Sequence, residues 1–450
     1  MTTSAIDPLP PRDLGGGLLL RAATAADADA VAAFNAKTHA VAPSLADTSI
    51  AAWTRDLLKR LHPTFRPEMF TIVEERASGK IVSSLNLLPQ TWSFGGIPIG
   101  MGQIELVGTD PDYRRRGLVR TQMEIAHGWS AQLGHLFQAI SGIPWYYRQF
   151  GYEMALEMDA SHRVPVANLP DLAEGETEPY RLRPAVTAEI GFLAETDAHG
   201  RQRWLVSAIR DEAIWAFELA ERTPDSVAAS HVMVIEPTGE AAHPAGYVVH
   251  DRDLWNGSLW VRACELSAGG SWLAVAPSLL RLLRDAGAAM AGDDPAKQVK
   301  RVALGLGTEH PLSHAAGGWG PDIRRPYAWF VRVPDLPAFL WRIQPILERR
   351  LAASPAVAYT GVLKLNLYQG GLMLTFSEGR LTAIEPWATP DFSEAEASFP
   401  PLTLLHLLFG HRSLAEVEAI YPDCYVPKHE ARVVLESLFP RLPSRAWAIE

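Results

Sequence analysis

Cysteine is almost missing from this chain: Cys264 and Cys424 are the only two in 450 residues, far apart and without metal-ligand spacing. That excludes a disulfide framework and a cysteine metal centre; buried free thiols in a reducing compartment fit instead, and a cytoplasmic protein is expected. Long apolar runs are missing too. Nowhere do about 18 uncharged apolar residues follow one another, so no membrane span is expected. Residues 1–16 have neither a basic start nor an apolar stretch, which makes them a disordered leader rather than a secretory signal. Positive charge is in deficit, with 41 Lys and Arg against 51 Asp and Glu and a formal charge of −10. Such a surface does not court nucleic acid or anionic membranes and favours cationic small molecules. What is present is ordinary globular material, 48% hydrophobic and 20% charged, long enough for two or three cores.

The apolar spacing alternates between strand and helix. LLLRA (18–22) reads as a strand, 26–39 and 49–62 as helices, and 69–76, 81–94 and 97–109 as strands joined by glycine turns. An apolar stripe from Gly117 to Gly134 predicts a helix; 135–143 is again a strand and PWYYRQFG (144–151) a short proline-started helix. This order gives an α/β (α+β) unit with a mixed, mainly antiparallel sheet, over 17–170. The stretch NLPDLAEGETEPY (168–180) is a linker, after which YRLRPAVTAEI echoes LLLRAATAADA, and 300–320 echoes 134–153. A second unit over 171–334 therefore repeats the plan, with ELSAGGSWLAV where the first has RRRGLV. Residues 335–450 change character, with a helix, three glycine-turned strands and more helices, and are expected to form an independent α+β layer.

One stretch stands out, VGTDPDYRRRGLVR (107–120), where a strand hands over to a helix. Helix N-termini carry partial positive charge, so three arginines there are unfavourable unless an anion joins them. Arg114, Arg115 and Arg116 would supply charge-assisted contacts to a diphosphate, and Gly117 would let the backbone approach. The motif is neither a Walker loop nor a dinucleotide fingerprint. It resembles the coenzyme A loop of the GNAT superfamily of N-acetyltransferases, Q/R-x-x-G-x-G/A, with Val119 where that family usually has Gly or Ala. The resemblance implies acetyl-CoA as co-substrate, cradled by Arg114 to Arg120 with Leu118 and Val119. It also implies that the backbones of Leu106, Val107, Gly108 and Thr109 bond the pantetheine arm, with Ser141 and Gly142 opposite.

YRQFGY (147–152) resembles the family's block that opens with a tyrosine, so Tyr147 is the candidate acid for the leaving thiolate; Tyr146 and Tyr152 compete for the role. Glu105 is a candidate base, or a carboxylate satisfied by a neighbour. His310 and His314 have helical spacing but no third ligand, and no metal is expected. His127 and His135 read as surface or cap residues. Trp92, Phe94 and Trp145 either rim an acceptor pocket or, by preference, pack in the core.

The three-part plan is similar to the enhanced-intracellular-survival (Eis-type) N-acetyltransferases, whose last layer resembles a sterol-carrier protein. That resemblance implies acetyl transfer to a primary amine (aminoglycoside, polyamine or lysine-like) and a hexameric homo-oligomer. It also implies that a C-terminal carboxylate, here that of Glu450, reaches the site as base. The longer ending ESLFPRLPSRAWAIE departs from the family at that point. The competing reading is a non-catalytic protein that binds lipid or senses coenzyme A.

Overall fold

The computed structural model describes residues 6–40, 46–59, 62–158, 160–239, 243–294, 297–388 and 394–449. In the first part, β1 (Arg12–Gly15), β2 (Leu18–Ala22), α1 (Ala28–Thr38), α2 (Thr48–Lys59), β3 (Phe70–Glu75), β4 (Ile81–Phe94), β5 (Ile97–Thr109), α3 (Leu118–Gln132), β6 (Phe137–Ile140) and β7 (Glu153–Met158) follow in order. Then come β8 (Ser161–Pro165), β9 (Tyr180–Pro184), α4 (Ile190–Arg201), β10 (Val206–Ala208), α5 (Glu212–Ala216), β11 (Ser230–Pro237), β12 (Gly246–Asp251) and β13 (Ser258–Leu266). The second part continues through α6 (Trp272–Ala291), β14 (Arg301–Leu304), α7 (Pro311–Ala315), β15 (Asp322–Arg324) and β16 (Tyr327–Arg332). The last part holds α8 (Leu336–Ala352), β17 (Gly361–Asn366), β18 (Gly371–Ser377), β19 (Arg380–Pro386), β20 (Ala397–Ser398), α9 (Leu404–Leu408), α10 (Leu414–Ile420) and α11 (His429–Leu438). The α/β class read from the sequence is what the structure has.

The first two sheets share one strand order. One runs β2-β3-β4-β5-β6-β16-β7 and the other β9-β11-β12-β13-β14-β8-β15. In each, the strand before last comes from the other half: β16 lies between β6 and β7, and β8 lies between β14 and β15. The halves have exchanged a strand, and neither sheet closes on residues from one side of the 168–180 linker. The repeat extends to side chains. Arg21 grips Asp27 with both terminal nitrogens (2.9 and 2.7 Å), and Arg183 grips Glu189 in the same way (2.9 and 2.5 Å). Each carboxylate also accepts the backbone N–H three residues before it, at Thr24 and Val186. This brace fixes the entry to α1 and α4, where the sequence echo was read.

Two expectations need correction. The leader's described residues are built into the fold: Arg12–Gly15 pair with β2, Ile6 and Leu9 pack on apolar clusters beside α3, and the Asp7 N–H donates to Gln132. The last layer is not independent. Trp92, Phe94, Ile99, Met101 and Phe137 of the first sheet form one continuous core with Phe339, Ile343 and Ile346 of α8 and with Phe409. Aromatic edges hold that seam, Phe94 against Phe339 at 5.4 Å and Phe137 against Phe409 at 5.6 Å. Trp92 and Phe94 are therefore core residues, while Trp145 stands 63% exposed.

Candidate functional site

The site begins with a failure of strand pairing. β5 and β6 run parallel, yet their ladder covers only Met101–Gln103 against Phe137–Ala139. Past Gln103 that edge of β5 has no strand partner, so residues 104–109 keep a row of backbone donors and acceptors available to an added chain. On its other edge β5 stays paired with β4, but one extra residue is accommodated between Ser84 and Asn86, where Leu106 takes a left-handed φ of +52°. Buried hydroxyls pin this bulge: Ser84 Oγ donates to the Leu106 carbonyl (3.1 Å) and Ser83 Oγ to the Gly108 carbonyl (2.8 Å).

At the end of β5 the chain turns through Asp110, whose carboxylate accepts the Asp112 N–H at 3.1 Å, and enters the arginine elbow. Arg115 and Gly117 both have positive φ, +62° and +76°, in a turn of the kind whose N–H groups converge on an anion. Gly117 caps α3 without a side chain, and the first helical bond is from Thr121 to the Gly117 carbonyl, which leaves the N–H groups of Leu118, Val119 and Arg120 unbonded along the helix. Arg114, Arg115 and Arg116 are exposed, and no carboxylate among the described residues forms an ion pair with them. Arg116 lies over the Tyr113 ring (4.9 Å). Arg120 instead crosses to Gln149 (2.9 Å) and the Phe150 ring (5.2 Å), bracing α3 against the short turn that carries Tyr147.

All of these elements border one cleft of about 760 Å³. Its walls include Leu106, Val107, Gly108, Thr109, Arg114, Arg115, Arg116, Gly117, Leu118, Val119, Arg120, Ser141 and Gly142, together with Glu105 and Tyr147. Every site residue picked from the sequence is thus gathered here except Glu450, which lies outside the described residues. Its neighbour Ile449 is buried and bonded to Gln90 of β4.

The three tyrosines separate cleanly. Tyr152 is fully buried with its hydroxyl on His127 Nε2 (2.8 Å), away from the cleft. Tyr146 is half-buried and borders the cleft. Tyr147 is 3% exposed, wedged against Phe330 (5.5 Å), and its hydroxyl comes within 4.0 Å of where a side chain on Gly142 would begin. No hydrogen bond to that hydroxyl is made among the described residues. Burial, and next the Glu105 carboxylate, raise the Tyr147 pKa, so it is a neutral phenol at any ordinary pH. Glu105 accepts from Gln103 Nε2 (2.7 Å) at one oxygen.

Among the cleft residues that escaped the sequence reading are Thr38 and His39 at the end of α1. A Cβ at position 108 would strike the Thr38 methyl at 2.7 Å, so Gly108 is required for α1 to approach β5. His39 is set against the Leu106 backbone, and burial lowers its pKa although a hydrogen bond to that backbone opposes the shift. A helix terminus without a motif gave no signal for either. Of the histidines read as surface or cap residues, His135 is interior, 8% exposed against Ser130 (3.0 Å), and His127 is half-buried; burial takes both down to about 4.

Residues 20–155 match the acetyltransferase (GNAT) domain. Over those residues the chain is similar to that family's domain. Among proteins of curated function none matches the sequence. Solved structures of the same fold include a GCN5-related N-acetyltransferase from Anabaena variabilis (14% identity, TM-score 0.65, covering 95% of this chain and 99% of that one). Another from Kribbella flavida has 17% identity and TM-score 0.63 over 96% and 98%, and Eis1 from Mycobacterium abscessus has 15% and 0.60 over 96% and 100%.

The cleft has a counterpart in the second sheet, and it is filled. β13 and β14 are parallel over Ser258–Val261 and Arg301–Leu304 and then part, as β5 and β6 do. His310 Nε2 bonds the Cys264 carbonyl (3.0 Å) in the gap, Arg203 pairs with Glu265 (2.6 Å), and Trp272 edges the His310 ring (5.0 Å). The start of α6 has Ser271 as its cap and no arginine nearby in ELSAGGSW. His310 is thus a structural plug, and the described residues hold no group of three or more His, Cys, Asp or Glu arranged to bind a metal ion.

Proposed function

We propose that this protein transfers the acetyl group of acetyl-CoA to the nitrogen of a primary amine. The observation that carries the reading is the unpaired edge of residues 104–109 running into an elbow of arginines that no described carboxylate pairs with and helix N–H groups left unbonded along the helix. That combination fits a molecule with an extended amide arm and a diphosphate. Arg114, Arg115 and Arg116 with Gly117, Leu118 and Val119 hold the diphosphate; the backbones of Leu106, Val107, Gly108 and Thr109 bond the arm. Ser141 and Gly142 form the facing wall.

The residues around the thioester position divide the proton work. A bond forms between the amine nitrogen and the acetyl carbonyl carbon, and the carbon–sulfur bond breaks. Tyr147 gives its hydroxyl proton to the departing sulfur, and Glu105 takes the proton lost by the amine, directly or through water. One N–H of the Leu106 bulge faces the carbonyl oxygen as negative charge develops there. Raised well above its ordinary value, the Tyr147 phenol stays protonated and ready to donate throughout the pH range of turnover.

Thiol release from acetyl-CoA, followed with a panel of polyamines, aminoglycosides and lysine peptides, tests the reading. Turnover with at least one amine is expected; calorimetric binding of coenzyme A with no turnover on any amine overturns it. Appending residues after Glu450 distinguishes the base: unchanged turnover assigns the proton to Glu105, and loss assigns it to a C-terminal carboxylate.

A further inference from the structure

Ser141 belongs to two cavities. It borders the coenzyme cleft and also a chamber of about 200 Å³ enclosed by Glu157, Met158 and Trp329, by Trp260 and Arg262 of the second half, and by the tail at 444–448. A nitrogen nucleophile reaching Ser141 from this side meets the cleft where β5 and β6 part.

Three charged side chains line the chamber, and two are committed. Arg262 is ion-paired with Asp251. Arg445 donates to the Arg262 carbonyl and lies in the field of Glu265, Tyr247 and Asp197. Glu157 is different. It is half-buried on β7 opposite Ala328, and among the described residues it makes no hydrogen bond or ion pair. Burial, and then Glu309, push its pKa up; the opposing cation is Arg441, which is 61% exposed and engaged with Glu416 at 3.6 Å. A half-buried carboxylate without a donor is costly, and a buried ammonium beside it offsets that cost through a charge-assisted bond.

Glu157 also borders a second pocket of about 250 Å³ shared with Glu309 and His411, so the residue is shared by two small spaces. The chamber's volume equals the liquid share of about six or seven waters. That suits a short unbranched carbon chain and is below the roughly 300–1,000 Å³ typical of sites for drug-sized ligands. Past Trp260 and Arg262 a wider groove opens, but its arginines Arg55, Arg252 and Arg324 offset Asp225, Asp251 and Asp253, so it has no excess negative charge to draw a cation.

Resting on the acetyl-transfer reading, we propose that Glu157 receives a second charged nitrogen of the acceptor, selecting an aliphatic diamine or linear polyamine over a monoamine. One nitrogen is acetylated at Ser141 while the other is held by Glu157.

The test compares 1,4-diaminobutane with butylamine as acceptors, with acetyl-CoA saturating. The wild type is expected to show a KM for the diamine at least tenfold below that for butylamine. Glu157→Gln raises the diamine KM at least tenfold, leaves kcat within about twofold and leaves butylamine unchanged, as loss of one charged hydrogen bond predicts. Glu157→Asp, which keeps the charge, restores much of the preference. Equal KM changes for both amines, or none for either, overturn the proposal. If no amine is acetylated the acetyl-transfer reading falls by itself, while calorimetry of 1,4-diaminobutane against the coenzyme A-loaded protein still reads Glu157. Binding weakened at least tenfold in Glu157→Gln supports the assignment; equal affinities, or no binding to the wild type, overturn it.

Discussion

Ile449 and Gln90, 359 positions apart, are bonded through both sides of the Gln90 amide: Nε2 donates to the Ile449 carbonyl at 2.9 Å, and the Ile449 N–H donates to Oε1 at 3.4 Å. Gln90 also receives the Trp92 indole N–H (2.8 Å) and donates to Gln103 (2.5 Å), which in turn holds Glu105. The tail is thus wired to the candidate site. Arg210 secures it further, donating to the Trp447 and Ala448 carbonyls (2.8 and 2.6 Å) with its guanidinium 3.3 Å from the centre of the Trp447 ring. Arg210→Ala leaves buried carbonyls and Glu218 short of a partner, so a loss of about 3 kcal/mol is expected by chemical denaturation, with faster carboxypeptidase trimming of the tail.

The exchange of β8 and β16 predicts how the chain divides. A fragment ending at residue 170 lacks β16, so β6 and β7 lose the strand between them and expose unpaired edges. Such a fragment should aggregate, whereas the whole chain keeps both sheets and the last layer packed on the first. Soluble expression with far-ultraviolet circular dichroism decides it; a monomeric, folded 1–170 fragment contradicts the exchange.

Gly117 separates strain from space. Its φ of +76° disfavours any side chain, yet an added Cβ meets nothing within 4 Å. Gly117→Ala should therefore cost about 1 kcal/mol of stability through backbone strain alone. Replacing Arg115 and Arg116 together by Ala should leave the melting temperature unchanged while coenzyme A affinity drops at least tenfold and becomes less sensitive to salt.

Much of this was legible beforehand because local chemistry carried it. The elbow announced itself by a conflict between cations and a helix start, and the echo of LLLRAATAADA in YRLRPAVTAEI marked the repeat that the two sheets show. Partner choice between strands was not legible, since a period of two says which face is buried but not which strand lies alongside. Nothing in the sequence near Glu157 marks it as lacking a donor, and the tail's bond to Gln90 spans most of the chain. The leader's packing was missed because Ile6 and Leu9 are two isolated apolar residues among prolines and aspartates.

Acid should weaken the seam between the first sheet and the last layer. His406 and His411 are joined at 3.2 Å beside Glu153, and burial holds them near 3 and 4. With folded values below the ordinary 6.5, both bind more protons when unfolded. Their stabilisation is therefore complete above about pH 6.5 and is lost progressively towards pH 4. The raised Glu153 pKa acts in the opposite sense at the lower end of that window. Melting temperatures from pH 7.5 to 4.5 should fall, and His406→Gln with His411→Gln should flatten the slope; an unchanged slope contradicts the assignment.

Tyr147→Phe tests the central claim most directly, with coenzyme A affinity by calorimetry and kcat by thiol release measured on the same material. Because the ring is buried and its hydroxyl bonds no described residue, folding and coenzyme affinity should be preserved while kcat falls by roughly two to four orders of magnitude. A variant that binds coenzyme A normally and turns over at the wild-type rate would contradict the account.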